Sequence, residues 1–155
     1  MKKLLIVFLF LSTCFVIKAQ TFKESNLPIV IITTDGNRDI PDEPKIGATL
    51  KIIDTPDGSR NKVSYASDPQ YLNFSGRIKI EIRGSSSQSL PKKPYGFTTY
   101  KEDNTTKNNV SILGMPEEND WILNSIAYDP SLIRNYLSYF LARQLGGYAT
   151  RERYC

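Results

Sequence analysis

An alternation of apolar and charged side chains constrains the fold of this chain more than any other feature of its sequence. Within residues 76–83, isoleucines at positions 78, 80 and 82 alternate with charged residues. Because successive side chains of a β-strand point to opposite faces, this pattern predicts a strand with one buried and one solvated face. A Gly/Ser-rich turn follows, and residues 94–101 then resume an aromatic-rich β pattern. The two segments are therefore predicted to pair as neighbouring strands of a sheet.

Three further segments predict strands, each rich in β-branched or aromatic residues: 27–34, 47–54 and 120–125. The first two run directly into turn sequences that contain Asp-Gly. The intervening polar segments are predicted to be surface loops: residues 37–44, 59–75 and 102–109.

One long helix is predicted near the end of the chain. Asp129 suits the N-cap, Pro130 suits the first helical position, and Gly146 with Gly147 marks the stop. The apolar residues between them form a two-column stripe: Leu132, Ile133, Tyr136, Leu137, Phe140 and Leu141. Such a stripe is typical of a helix packed on a sheet. The predicted fold class is α+β, a mixed or antiparallel sheet with one long packed helix.

The N-terminus has the pattern of a secretory signal peptide. Lys2 and Lys3 precede an unbroken apolar run, residues 4–11, and cleavage is predicted after Ala19. This divides the chain into a signal peptide (1–19), a linker (20–26) and a domain (27–155), and it predicts export to the periplasm, cell surface or medium. The apolar run is shorter than a membrane-spanning helix needs, so no membrane span is expected after cleavage. A lipid anchor at Cys14 is the alternative.

Charge and composition exclude several classes of function. Cleavage would remove three lysines and leave 17 basic against 16 acidic residues, a balance that does not predict nucleic-acid binding. The chain has no histidine, which excludes His-based metal sites and triads in this sequence. Cys155 would be the one remaining cysteine, so no internal disulfide is expected.

The turn between the paired strands carries the candidate binding site. Its backbone N–H groups, hydroxyls, guanidinium and ammonium groups are donors that suit an anionic group such as a phosphate. The pattern is not a Walker motif, which requires Gly-x-x-x-x-Gly-Lys-Ser/Thr. The candidate residues are Arg83, Gly84, Ser85, Ser86, Lys92 and Lys93, with Tyr95 as an aromatic ring that follows the turn.

Each of these candidates also has a structural interpretation. Lysines before a proline often lie on a solvated face, and Gly/Ser turns are common for conformational reasons alone. Tyr95 and Trp121 suit the core. Arg134 and Asn135 lie on the polar side of the predicted helix, where capping or an ion pair explains them as well as a ligand does.

Four short blocks keep a distinctive order between residues 76 and 155. They are residues 82–95 (Ile-Arg-Gly-Ser-Ser-Ser-Gln-Ser-Leu-Pro-Lys-Lys-Pro-Tyr), 112–116 (Ile-Leu-Gly-Met-Pro), 119–124 (Asn-Asp-Trp-Ile-Leu-Asn) and 129–136 (Asp-Pro-Ser-Leu-Ile-Arg-Asn-Tyr). Together they resemble the N-terminal part of the spore coat protein H (CotH) family of atypical kinases.

The resemblance implies a kinase-like fold, ATP with Mg²⁺ or another divalent metal as cofactors, and phosphoryl transfer to side chains of a protein substrate. It places the catalytic and metal-binding acids beyond Cys155, so no residue of this chain is assigned to either role. The chain is accordingly interpreted as the first part of a longer exported kinase. The alternative is a secreted, catalytically inactive binding or surface-structural module.

Overall fold

A computed structural model describes residues 21–155 of the chain. The predicted signal peptide and the alternative anchor at Cys14 lie outside the described residues. Among the residues that are described, no helix has the length and apolar character needed to cross a membrane.

The described part contains seven strands and one α-helix. The strands are β1 (Glu24–Ser25), β2 (Ile29–Thr34), β3 (Ile46–Ile53), β4 (Asn61–Lys62), β5 (Leu72–Ile82), β6 (Tyr95–Tyr100) and β7 (Asp120–Leu123), and the helix is α1 (Arg134–Gln144). Short 3-10 turns occupy Asp35–Asn37, Val63–Ser67, Pro69–Tyr71 and Ser86–Ser89.

Five of the strands form one antiparallel sheet in the order β2-β3-β5-β6-β7. The predicted pairing across the Gly/Ser turn is confirmed, because Ile82 lies opposite Tyr95 and Arg77 lies opposite Tyr100. The strands β1 and β4 form a separate two-stranded pair. Part of the predicted linker, Glu24–Ser25, is therefore a short strand.

One face of the five-stranded sheet carries the core. The alternation in β5 is confirmed: Ile78 and Ile80 are fully buried, and Leu50 and Ala48 of β3 lie beside them. Phe97 of β6 completes this layer. The opposite face carries the charged residues of β5, so the sequence pattern separates a dry side from a polar side.

A loop segment, residues 108–118, covers the core face. Ile112 is 3% exposed and belongs to the core, while Val110 and Met115 pack against it. Val110 and Glu118 exchange two backbone hydrogen bonds of 3.0 and 3.1 Å, which close the segment into a compact loop. A loop of this kind can bury apolar side chains because its own backbone groups are paired.

The strand β5 begins four residues earlier than the sequence predicts. Leu72 lies opposite Ile53, and Phe74 lies opposite Ile52 and packs against the core. The register shifts between Ile52 and Ile53, which leaves Asn73 as one extra residue of β5 at this point. The prediction that all of residues 59–75 form a surface loop is therefore wrong for residues 72–75.

The helix begins at Arg134, so the prediction that Pro130 is its first residue is wrong. Residues 129–133 form a turn instead, in which Leu132 adopts a positive φ of 57°. A left-handed residue cannot belong to a right-handed helix, so the helix starts beyond it. The predicted stop is confirmed: Gly146 has φ +80°, and the N–H groups of Gly146 and Gly147 close the last turn with bonds of 3.0 Å.

No residue of α1 is buried. The apolar stripe is in solvent, with Leu137 47% and Leu141 50% exposed. The ring of Tyr136 lies 6.0 Å from that of Tyr154 and 6.4 Å from that of Phe140, so aromatic contacts along the stripe join the helix to the chain that follows it. The α+β class is confirmed, but the packed position of the helix is not.

Candidate functional site

The turn that follows β5 is shaped by its own residues. Gly84 has a left-handed φ of 89°, and a Cβ at this position would collide with the hydroxyl of Ser87. The 3-10 turn Ser86–Ser89 follows, in which the Gln88 N–H donates to the Ser85 carbonyl at 3.2 Å. A glycine is required here, because both the backbone angle and the contact exclude a side chain.

Gln88 and Lys93 tie the turn to its surroundings. The Gln88 side-chain amide donates to the Gly84 carbonyl and to Asp42 Oδ1, both at 2.6 Å. The Lys93 ammonium donates to the Gln88 carbonyl. Lys93 thus braces the turn from its inner side.

An open cavity of about 730 Å³ lies over the polar face of the sheet beside this turn. We call it the sheet cavity. Its lining includes residues of three neighbouring strands and three flanking loops, among them Lys45, Glu81, Arg83, Thr98, Lys107 and Asp120.

A chain of polar contacts crosses the sheet cavity. The Lys45 ammonium donates to Thr98 Oγ1 at 2.8 Å and lies 3.8 Å from Asp120 and 4.0 Å from Glu81. The Thr98 hydroxyl donates to Asp120, whose other oxygen accepts from Lys107 at 2.9 Å. The Thr98 hydroxyl is the main group that lowers the pKa of Asp120, and Asp120 in turn raises the pKa of Lys107. Both shifts favour the charged forms, so Asp120 and Lys107 are an ion pair at neutral pH.

A second cavity of about 490 Å³ lies on the other side of Arg83, between the turn and the start of α1. We call it the helix cavity. Its lining includes two guanidinium groups, two amides and an exposed aromatic ring, from Arg83, Arg134, Asn124, Asn135 and Tyr128.

Asp129 fixes the approach to this cavity. Its carboxylate accepts the N–H groups of Ser131 at 3.0 Å and Arg134 at 2.9 Å, together with the Ser131 hydroxyl. These bonds, the Ser131 hydroxyl foremost, lower the pKa of Asp129. The Arg134 guanidinium lies 3.4 Å from the carboxylate, but its side chain is 74% exposed and accessible to a ligand.

The structure divides the predicted site residues into two groups. Arg83 and Gly84 line both cavities. The others line neither of these two cavities: Ser85, Ser86, Lys92, Lys93 and Tyr95. Tyr95 is half-buried and packs against the core, as its structural interpretation predicts. A ligand role for these residues stays a prediction.

Sequence reasoning did not identify Lys45, Thr98 or Lys107. Each lies in a different segment, and nothing in the local pattern marks a lysine before a strand as part of a cavity. The sequence allows a ligand contact or a capping role for Arg134 and Asn135, and the structure brings both to the cavity that Arg83 lines. Long-range pairing across the sheet, which the sequence does not specify, determines which of these side chains meet.

Residues that could hold a metal ion are not clustered in the described part of the chain. Within residues 21–155, no group of three or more Asp, Glu, Cys or His side chains is arranged to bind a metal ion.

Comparison with known proteins gives one match. A family model described as CotH kinase protein matches residues 80–155, about half of the chain. The match begins in β5 and includes the turn, β6, β7 and α1. No curated protein and no solved structure matches the chain.

Proposed function

Since residues 80–155 of this chain belong to the CotH kinase protein family, we propose that the protein is exported and takes part in ATP- and divalent-metal-dependent phosphoryl transfer to protein side chains. Phosphoryl transfer needs cations on the phosphates, a carboxylate-held metal ion and an acid that orients the hydroxyl acceptor. The residues described here support the first of these requirements.

The observation that carries the proposal is that several separate segments within the family match line the helix cavity. Arg83 and Gly84 come from the turn after β5, Asn124 follows β7, and Arg134 opens α1, yet all four line one cavity. Two guanidinium groups can each bind phosphate oxygens through paired N–H donors. The neighbouring amides of Asn124 and Asn135 add neutral donors. This set suits the phosphate chain of a nucleotide.

Thermal unfolding of the full chain with and without magnesium–ATP tests the proposal. A ligand that binds only the folded state stabilises it by about 2.7 kcal/mol at a hundred times its Kd. We expect Arg83→Gln to reduce this stabilisation strongly, because the substitution removes the guanidinium common to both cavities. Arg60→Gln is the matched control, since Arg60 pairs with Glu24 at the separate two-stranded sheet. Absence of any shift with millimolar magnesium–ATP would contradict nucleotide binding and favour a binding or surface-structural module.

A double substitution of Lys92 and Lys93 to Ala tests the predicted phosphate contacts of the turn. If the two ammonium groups contact phosphates, ATP protection is lost while the protein stays folded. Lys93 also braces the Gln88 carbonyl, so unfolding without ligand must be measured for the same variant. Unchanged ATP protection would restrict the phosphate contacts to the arginines.

A further inference from the structure

The five-stranded sheet has two edges, β2 on one side and β7 on the other. An edge strand presents a row of unpaired N–H and C=O groups, to which a strand of another chain can add. Natural sheets block such addition with short edge strands, charged side chains, prolines or irregular pairing. The two edges of this sheet differ in how far they are protected.

The edge at β7 carries two of these protective features. The strand has four residues, Asp120–Leu123. Asp120 places a charge at its start, where it forms an ion pair of 2.9 Å with Lys107. A strand added at this edge would have a short length to pair with and would lie beside the ion pair. The β7 edge is therefore protected in the ways that are usual for natural sheets.

The edge at β2 lacks these features. Its six residues, Ile29–Thr34 (Ile-Val-Ile-Ile-Thr-Thr), include no charged residue and no proline. Their pairing with β3 runs from Ile29 opposite Ile53 to Thr34 opposite Ala48 without a shift, so no bulge in this pairing turns the edge away. The sequence and the regular geometry of β2 both permit a further strand to add.

The outer backbone groups of β2 have no partner among residues 21–155. Every second residue of an antiparallel edge strand directs its N–H and C=O away from its neighbour. Within the described chain, the backbone of Ile29–Thr34 forms hydrogen bonds with β3 alone, and β3 is the one element with which β2 makes extensive contact. Because backbone groups left unpaired beside apolar side chains are costly, this edge favours a strand that pairs with it.

The side chains of β2 are covered on both faces, as in a strand inside a sheet. Val30 and Ile32 pack against the core on one face. Ile29, which points to the other face, is 6% exposed. The open side of β2 is therefore the side along which a further strand would form hydrogen bonds.

We propose that β2 of one copy pairs with β2 of a second copy of this chain, antiparallel about a two-fold axis, so that the two sheets join into one continuous sheet. The same strand then serves both copies. Main-chain hydrogen bonds provide the affinity of such strand addition, and the side chains provide its specificity. The proposal is independent of the proposed function, since β2 lies outside residues 80–155 and lines neither cavity.

The charge of the edge favours a second copy over a charged strand of another protein. A charged strand would find no opposite charge along Ile29–Thr34. A second copy brings the same neutral residues, and neighbouring β-branched side chains pack well on a pleated surface. Asp35, which follows β2, would lie near the start of the second copy's strand, where residues 26–28 are uncharged. Like charges therefore do not oppose each other along the paired strands.

Sedimentation velocity of the full chain over a range of concentrations tests the pairing. We expect a dimer, and we expect Thr33→Lys to raise its dissociation constant at least about tenfold, because a lysine on the edge opposes edge-to-edge pairing. Thr33 is exposed, so the lysine can reach solvent without disturbing the core. Thr105→Lys is the matched control, since it makes the same change at an exposed residue of the loop after β6 and should leave the dimer unchanged.

Hydrogen exchange of the wild-type chain gives a second measurement that requires no variant. Pairing protects the outward N–H groups of β2 in the dimer and leaves them unprotected in the monomer. Exchange over Ile29–Thr34 should therefore slow as the protein concentration rises. Exchange over Asp120–Leu123, at the opposite edge, should not depend on concentration.

Three results would overturn the proposal. The first is a wild-type chain that stays monomeric: protected β2 amides would then mean that another segment of this chain covers the edge, and unprotected amides would leave it open to a different protein. The second is a dimer that Thr33→Lys leaves intact while the β2 amides exchange at the same rate at all concentrations. The third is a dimer that Leu141→Gln abolishes and Thr33→Lys does not, which would assign the interface to the apolar stripe of α1.

Discussion

The sheet and the C-terminal helix show opposite relations between apolar pattern and burial. In β5, Ile78 and Ile80 are 0% exposed. In α1, the apolar stripe leaves every residue at least partly exposed, and no side chain is buried. Both patterns are clear in the sequence, and both elements form where they were expected, apart from the start of each.

This contrast shows that periodicity specifies which face of an element is apolar but not which other residues will bury that face. The apolar face of the sheet is buried by residues 108–118, a loop segment whose periodicity is weak. The apolar stripe of the helix contacts nearby aromatic rings, as Tyr136 does with Tyr154. An exposed apolar stripe of this kind marks an interaction surface or a tendency to associate.

Ile80→Ala should strongly destabilise the sheet, the buried element in this comparison. The side chain is fully buried in the core of β5, so its truncation removes transfer free energy and leaves a cavity. We expect a loss of about 2–5 kcal/mol in the free energy of unfolding, measured by urea titration of the full chain. A loss below about 1 kcal/mol would show that the sheet core is not closed as described.

Thr98→Val tests the polar face of the same sheet with a smaller effect. The Thr98 side chain is 2% exposed and its hydroxyl connects Lys45 with Asp120. Valine keeps the shape but removes a hydrogen bond to charged groups, at a cost of about 1–3 kcal/mol. Thr33→Val on β2, where the residue is exposed, should change stability by no more than about 0.5 kcal/mol. Equal effects of the two substitutions would count against the network.

Asp129→Asn should destabilise the turn before the helix by less than Thr98→Val destabilises the sheet, and its effect on stability should depend on pH. Because the folded state lowers the pKa of Asp129, its contribution is complete above the unfolded value of about 4 and is lost as pH falls through the folded value. The variant lacks this loss, so its stability should fall less steeply than that of the wild type between about pH 5 and pH 2. Thermal unfolding followed by circular dichroism across this range provides the measurement.

Asp35 serves as the control for that pH series. Its pKa is also lowered, chiefly by its hydrogen bonds with Arg77 on the sheet. The variant Asp35→Asn should flatten the same acid limb, because it too removes a carboxylate whose pKa the folded state lowers. A pH profile of Asp129→Asn identical to the wild type would show that the carboxylate bonds at the turn do not persist in solution.

The sheet was largely predictable from sequence because its signals are local. Alternation around Ile80 identified a half-buried strand, and the turn sequences bounded the strands before and after it. The early start of β5 was not predictable, since Asn73 and Ser75 disfavour a strand and the pairing of this segment with β3 keeps them in it.

The candidate site was predictable only in part. The turn sequence identified Arg83 and Gly84, which line both cavities. Lys45 and Thr98 were not predictable as a pair, because they lie 53 residues apart in the sequence and only the folded sheet brings them together.

The start of the helix was not predictable from local signals either. Asp129 and Pro130 are good capping residues, but the positive φ of Leu132 places a turn between the cap and the helix.

Leu141→Gln should produce the smallest effect and complete the comparison with Ile80. Leu141 is 50% exposed on α1, so its side chain has little buried area to lose, and glutamine has a helix propensity close to that of leucine. We expect the free energy of unfolding to change by no more than about 0.5 kcal/mol, while sedimentation at high protein concentration should show less self-association than the wild type. A loss comparable to that of Ile80→Ala would mean that the stripe is buried in solution, and the contrast between sheet and helix would then disappear.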